Sequence, residues 1–274
     1  MIDWHCHILP GIDDGPETLA ESLEMARLLA AAGFRQVHCT PHCILGRFDN
    51  RPSQVQKATS TLQKELNRAG IPLLLSPGME YFLDEYFPVL LEKPQCLGDS
   101  RLLLVEVPRE ASSELVRDNV QRIIQRGLIP LMAHPERTDL LAQGDFCPIR
   151  WPFNGVFKRF FPSNTTSSFP GAAPSDLFLQ DELKGTGGLF QGNLLSFSGR
   201  YGKQVQKRAE ANLTQGLYSC FATDGHGVES LEAFLLPALQ ILTNHEGGLD
   251  ILDSGSSLAG AIEDNGDMQT PMSS

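Results

Sequence analysis

The stretch "IDWHCHILPGIDDGP", residues 2–16, places His5 and His7 one residue apart, with Asp13 and Asp14 close behind. In an extended strand side chains alternate, so His5 and His7 project to the same face. Such a pair is either the polar edge of a strand or the start of a metal site. The rest of the chain decides between the two. Short apolar runs recur along it, and each ends in an acid or a histidine. "VHCTPH" ends at His42 and "LLLSPGME" at Glu80. "LLLVEVP" carries Glu106, "PLMAHPER" carries His134, and "CFATDGH" ends in Asp224 and His226.

Between these runs lie helical patterns. Leu19, Leu23, Ala26 and Ala30 fall at helical spacing, with Pro16 suited to the start of a helix and Gly33 to its end. Further helices are expected around residues 52–69, after Ser112 or Ser113 as N-cap, across "GKQVQKRAEANLTQG", and near 229–244. Apolar strands alternating with helices indicate a parallel sheet with helices outside. Six or seven such units fit a barrel better than a three-layer sandwich, and no GxGxxG or GxxxxGKS loop follows any strand. Barrel enzymes build their sites at the C-terminal ends of the strands. The strand-end residues, with Asp14, therefore converge on one mouth.

Five of the seven histidines take such places, and His38 and His245 read as structural. A single strand-end histidine is more often a cap or a core residue than a ligand. Five in equivalent places, with Glu106 in an apolar strand where a lone carboxylate is costly, favour a metal site. The nine candidate ligands are His5, His7, Asp14, His42, Glu80, Glu106, His134, Asp224 and His226. Imidazole and carboxylate donors without thiolate suit manganese, iron or zinc in an open catalytic site. Nine donors exceed the needs of one ion, so two or three ions sharing Glu80 are expected.

The bulk properties narrow the function. The chain has 274 residues, 41% hydrophobic and 20% charged, enough for a full core in one domain. A net charge of −11 argues against nucleic acid as a partner, while bound cations would still admit an anionic substrate. No basic apolar leader precedes Asp3 and no apolar run approaches about 18 residues, so a cytoplasmic protein that is not membrane-embedded is expected. Cys6, Cys39, Cys43, Cys96, Cys147 and Cys220 read as free thiols. A thiol-based phosphatase needs an Arg six places after its Cys. Here those places hold Ile12, Leu45, Asp49, Leu102, Phe153 and His226, which excludes that chemistry. Residues 145–176, rich in Pro, Gly, Ser and aromatics, read as an insertion in a barrel spanning 1–245. Residues 246–274 read as an acidic, disordered tail.

"DWHCHILPGIDDGP", "TPH", "GME", "VEVP", "AHPER" and "TDGH", in this order, resemble the polymerase and histidinol phosphatase (PHP) family. More narrowly, they resemble its bacterial tyrosine-protein phosphatases encoded with capsular or extracellular polysaccharide genes. The resemblance covers residues 1–143 and 177–245. It implies a distorted TIM-like (β/α)7 barrel with a trinuclear, usually manganese, centre. By motif, His5, His7, Glu80 and Asp224 would hold one ion. Glu80, Glu106 and His134 would hold a second, and Asp14, His42 and His226 a third. Asp13 is left without a role, Asp3 would orient a ligand histidine from behind, and Arg137 would grip the phosphoryl group. The implied partner is a phosphotyrosine-bearing bacterial tyrosine kinase.

Relatives usually carry a polar residue and then a second Arg after the last histidine. Here Gly227, Val228 and Glu229 follow instead. A second phosphate-gripping cation is therefore sought in Lys158, Arg159 or Arg200. The basic pair in "FKRFFP" could close over a phosphotyrosine ring, although a surface or docking loop is the plainer reading. Rival functions are a PHP phosphoesterase acting on a small monoester such as histidinol phosphate, a metal-dependent amidohydrolase, and a non-catalytic phosphotyrosine-binding regulator.

Overall fold

A computed structural model describes residues 1–141 and 179–245. The expected insertion at 145–176, with Cys147, Lys158 and Arg159, and the expected tail at 246–274 lie outside the described residues. The strands are β1 (Ile2–Cys6), β2 (Gln36–Cys39), β3 (His42–Cys43), β4 (Leu74–Pro77), β5 (Glu80–Phe82), β6 (Leu102–Glu106), β7 (Ile129–Ala133), β8 (Leu189–Asn193) and β9 (Cys220–Ala222). The helices are α1 (Leu19–Ala31), α2 (Pro52–Arg68), α3 (Phe87–Leu90), α4 (Ser113–Gln125), α5 (Leu179–Gly185), α6 (Leu194–Phe197), α7 (Lys203–Thr214) and α8 (Val228–Thr243). All strand pairs are parallel, in the orders β1-β2-β4 and β3-β5-β6-β7-β8-β9.

These two sheets form one barrel. β2 and β3 are halves of a strand interrupted at Thr40–Pro41, where proline supplies no N–H to a ladder. β4 and β5 are likewise halves of a strand interrupted at Gly78–Met79. Hydrogen bonds from Gly78 N to Cys39 O (2.9 Å) and from Glu80 N to Pro41 O (3.1 Å) carry the pairing across both breaks. The seam closes between β9 and β1, where Asp224 N donates to His5 O (2.8 Å) and His7 N to Gly225 O (3.0 Å). Seven strand positions result, and the chain folds as a distorted (β/α)7 barrel.

Simple alternation fails in β1. Asp3 pairs with Val37 and Cys6 with Cys39, so β1 carries one residue more than β2 across this interval. Such a bulge re-aims the side chains that follow it. Trp4 thereby packs inside the barrel with Leu102, Leu104, Leu131, Ala133, Cys220 and Ala222, while His5 still reaches the mouth. Trp4 also stacks on His38 (4.9 Å, 11°), the histidine read as structural, whose pKa burial pushes down to about 4.

α1 begins later than Pro16 suggests. Thr18 is its N-cap and forms a reciprocal capping box with Glu21, which satisfies the free backbone donors that Pro16 cannot reach. Its most buried residues are Ser22, Met25, Ala26 and Leu29; of the residues at helical spacing, Ala26 is buried, Leu23 and Ala30 pack partly buried against the core, and Leu19 is exposed. The cap fixes the helix phase, and tertiary packing against α2 and α8 selects the face. α4 starts at Ser112, whose hydroxyl accepts from Leu115 N.

Glu136, in the 3-10 turn Pro135–Arg137 after β7, is fully buried. Its carboxylate accepts from Asn193 N (3.0 Å), Ser196 Oγ (2.8 Å) and Tyr218 OH (2.9 Å), tying that turn to β8, α6 and the approach to β9. Glu136→Ala strips the acceptor from three buried donors. It is expected to lower unfolding free energy by about 3 kcal/mol in urea titration, with Glu136→Gln recovering only part.

Candidate metal centre

His5 and His7 bring their Nε2 atoms to 3.0 Å from one another. A partner behind each ring aims it. His5 Nδ1 lies 3.0 Å from Gln191 Oε1, and His7 Nδ1 lies 2.7 Å from Asp13 Oδ2. With Nδ1–H held by an acceptor, Nε2 faces the mouth, the arrangement seen behind metal-ligating histidines. Asp13 also accepts from Gly15 N (3.0 Å) and His42 N (3.1 Å), so one carboxylate locks three parts of the mouth together. Gly15 is obligatory in this turn, because a Cβ there would lie 2.3 Å from His7 O.

The other donors gather on the same point. His5 Nε2 and His7 Nε2 are each 3.4 Å from Glu80 Oε2 and 3.3 Å from Asp224 Oδ1. His42 Nδ1 stands 2.9 Å from Glu80 Oε2, and His134 Nε2 stands 3.3 Å from Glu80 Oε1. Glu106 is more distant, 3.9 Å from His134. Asp14 Oδ1 lies 3.4 Å from both His42 Nε2 and His226 Nε2. Four overlapping groups, each with its donor atoms within 4.8 Å of one another, could hold a metal ion: His7, Asp14, His42 and His226; His5, His134 and Asp224; His5, His7 and Glu80; and His42, Glu80 and Glu106. All nine sequence candidates enter at least one group.

The charges explain why the donor set fits a cation. Glu80 Oε2 is buried and, although His42 Nδ1 stands 2.9 Å away, no well-aligned hydrogen bond reaches it among the described residues, a site of the kind that a metal would satisfy. Burial opposes ionisation of Glu80 and Asp224, but His5 with His42, and His5 with Arg137, outweigh it and hold both carboxyls well below the usual range. Glu106, with fewer neighbours of opposite sign, is pushed up to about 7 by burial and by the charge of Glu80. Burial and the adjacent Arg137 push His134 down to about 4, leaving it a neutral imidazole. His134 (φ 31°) and Asp224 (φ 48°) are the two non-glycine residues with positive φ among the described residues. Strained backbone at two candidate ligands is the kind that clusters at functional sites.

Arg137 reaches back from the 3-10 turn to pair with Asp224 Oδ2, and its guanidinium lies 4.4 Å over the Tyr201 ring. Asn193 Nδ2 also donates to Asp224 Oδ2 (2.9 Å). Asp3 departs from its expected role. It accepts from Thr223 N (2.9 Å), Thr223 Oγ1 (2.6 Å) and the His5 backbone N (3.3 Å), so it braces the β1–β9 seam rather than the imidazole. Glu80, Glu106, His134, Asp224, His42, Asp14, His226 and Arg137 line one cleft of about 310 Å³. Arg200 lines an adjoining cleft that also includes His226. Among the described cysteines, burial raises the pKa of Cys6, Cys39, Cys43, Cys96 and Cys220, which leaves no activated thiolate there.

The chain resembles known proteins in sequence and in fold. A family model described as capsular polysaccharide synthesis, CpsB/CapC, matches residues 1–145. Tyrosine-protein phosphatase YwqE of Bacillus subtilis (strain 168) is 38% identical over 139 residues, covering 50% of this chain and 55% of that protein. The sequence match thus spans little more than half of that relative. Putative tyrosine-protein phosphatase CapC of Staphylococcus aureus is 24% identical over 241 residues, covering 87% of this chain and 82% of the relative. A solved structure from work on YwqE of Bacillus subtilis and CpsB of Streptococcus pneumoniae, described as unique metal-dependent tyrosine phosphatases, matches with a TM-score of 0.73 at 26% identity and covers 100% of both chains.

Asp13→Ala removes the acceptor behind His7. It is expected to weaken divalent-ion binding by about 10- to 100-fold in calorimetric titration, with little change in circular dichroism. Unchanged affinity would mean that Asp13 serves the loop alone.

Proposed function

The chain belongs to the CpsB/CapC family of capsular polysaccharide synthesis proteins, and on that premise we propose that it is a metal-dependent protein-tyrosine phosphatase. The observation that carries the reading is the convergence of carboxylates and imidazoles from six of the seven strand positions, all but β8, on one mouth whose cleft also holds Arg137. Residues 1–245 act as one catalytic barrel in the cytoplasm. The substrate is phosphotyrosine on a bacterial tyrosine kinase that governs capsular or extracellular polysaccharide synthesis.

In this reading, His5, His7, Glu80 and Asp224 hold one manganese ion. Glu80, Glu106 and His134 hold a second, and Asp14, His42 and His226 a third. Bound there, the ions would supply an acidified water and offset the charge of the phosphoryl oxygens. Arg137 presents a planar fork suited to two of those oxygens. Its stacking on Tyr201 and its pairing with Asp224 fix the plane of that fork before substrate arrives, so little side-chain entropy remains to be lost. Tyrosine leaves as a phenolate with a pKa near 10, so the departing oxygen needs little help from a general acid.

The donors grade outward, from fully buried His5 and His7 to Asp14 and His226, whose side chains are 45% and 31% exposed. An open rim of this kind favours a protein segment over a small metabolite enclosed on all sides. Hydrolysis of a phosphotyrosine peptide and of histidinol phosphate, each by chelated protein before and after manganese addition, tests the reading. Manganese-dependent turnover of the peptide, lost by at least 100-fold in His134→Ala, is expected. Turnover of histidinol phosphate alone would overturn the substrate while keeping the metal chemistry.

A further inference from the structure

Beyond the candidate ligands, the cleft has a second tier of lining residues: Ile44, Phe82 and Val107 as an apolar wall, and Arg47, Arg109 and Glu110 at the rim. We propose that Arg47 and Arg109 recognise carboxylates flanking the phosphotyrosine, which makes the enzyme selective for acidic segments. This inference rests on the phosphotyrosine reading above and adds to it a substrate class.

Arg47 sits in a tight turn between Ile44 and Phe48. Ile44 N donates to Phe48 O (3.1 Å), while Phe48 N (2.8 Å) and Arg47 N (3.0 Å) donate to Ile44 O. Gly46, at φ +80°, permits the reversal. The Phe48 ring stacks on the candidate ligand His42 (5.5 Å, 13°), and the Arg47 guanidinium lies 5.1 Å over that same ring. A rim cation is thereby held by stacking onto the donor cluster, not by a counter-charge. Arg109 stands in the loop that follows β6, three residues after Glu106, on the other side of the apolar wall in sequence.

Both arginines are exposed, and neither forms an ion pair with the described residues. Some arginines elsewhere on the surface pair with acids, Arg27 with Glu24, Arg117 with Glu182 and Arg208 with Asp139, while exposed Arg35, Arg51 and Arg101 form no ion pair with the described residues. What distinguishes Arg47 and Arg109 is their place: both exposed guanidinium groups line the cleft that holds candidate ligands and Arg137, where an anionic ligand would meet them. Arg137 already stands nearer the phosphoryl position, in contact with Asp224. The rim arginines lie on loops further out, beside the apolar wall that would flank the phenyl ring. Ligands one residue before or after the phosphotyrosine would meet them there.

The test uses the manganese-loaded protein and three substrates: a phosphotyrosine peptide flanked by glutamates, the same peptide flanked by alanines, and p-nitrophenyl phosphate. The wild type is expected to prefer the glutamate peptide by about tenfold in kcat/KM, mainly through KM, with the preference fading as ionic strength rises. In Arg47→Ala/Arg109→Ala the ratio between the two peptides should fall towards one, and Arg47→Lys/Arg109→Lys should retain part of it. A wild-type ratio near one, or a ratio unchanged in the double alanine variant, would overturn the proposal. So would equal losses on all three substrates, which would place the arginines on the phosphoryl group instead. Hydrolysis of p-nitrophenyl phosphate with neither peptide turned over would overturn the phosphotyrosine reading, and this inference with it.

Discussion

The mouth of this barrel depends on one buried carboxylate. Glu80 lies with Oε2 facing His5, His7 and His42 and Oε1 facing His134, and almost none of it reaches solvent. An isolated buried carboxylate would cost several kcal/mol, so its neighbours must supply positive charge or a cation must. The local departures from regular structure serve that arrangement. β2 breaks at Pro41 and β4 ends before Gly78, so that His42 and Glu80 restart side by side in register. β1 bulges so that Trp4 fills the barrel while His5 and His7 still face the carboxylate.

Closure of the barrel and assembly of the site are the same event. The two seam hydrogen bonds run through His5, His7, Asp224 and Gly225, and Asp3 fastens the seam from behind through Thr223. Asp224 takes a left-handed backbone at this seam, as does His134 at the end of β7. Strain at those positions persists because the surroundings over-determine them: the Glu136 network below His134, and Arg137 with Asn193 around Asp224. Rigid support of this kind keeps charged side chains close together when each alone would move apart.

The fold class, and the gathering of the nine candidate donors at one mouth, were legible in the sequence because they are written in local patterns. Apolar runs of strand length ending in His, Asp or Glu state both the period of the element and the end at which the site lies. What stayed hidden depends on contacts distant in sequence. Asp13 looks like a redundant neighbour of Asp14 until the loop folds it against His7, and only its place six residues after that histidine hinted at the role. Glu136 reads as part of a phosphate-binding motif, yet its partners come from residues 193, 196 and 218. The bulge in β1 leaves no mark in the alternation of residue types, since Trp4, His5 and His7 all suit a buried mouth. In α1 the helical spacing of Leu23, Ala26 and Ala30 marked residues that pack on the core, whereas the buried Ser22 carried no hydrophobic signal and Leu19 is left exposed.

In the proposed metal centre Glu80 is the carboxylate that would join several ions in one cluster. Metal content of the manganese-equilibrated protein, measured by mass spectrometry of the dialysed wild type and of Glu80→Gln, tests it most directly. Two or three ions per chain are expected in the wild type, and the variant should lose more than one of them with the barrel still folded by circular dichroism. A single ion in the wild type, or equal metal content in both proteins, would contradict it.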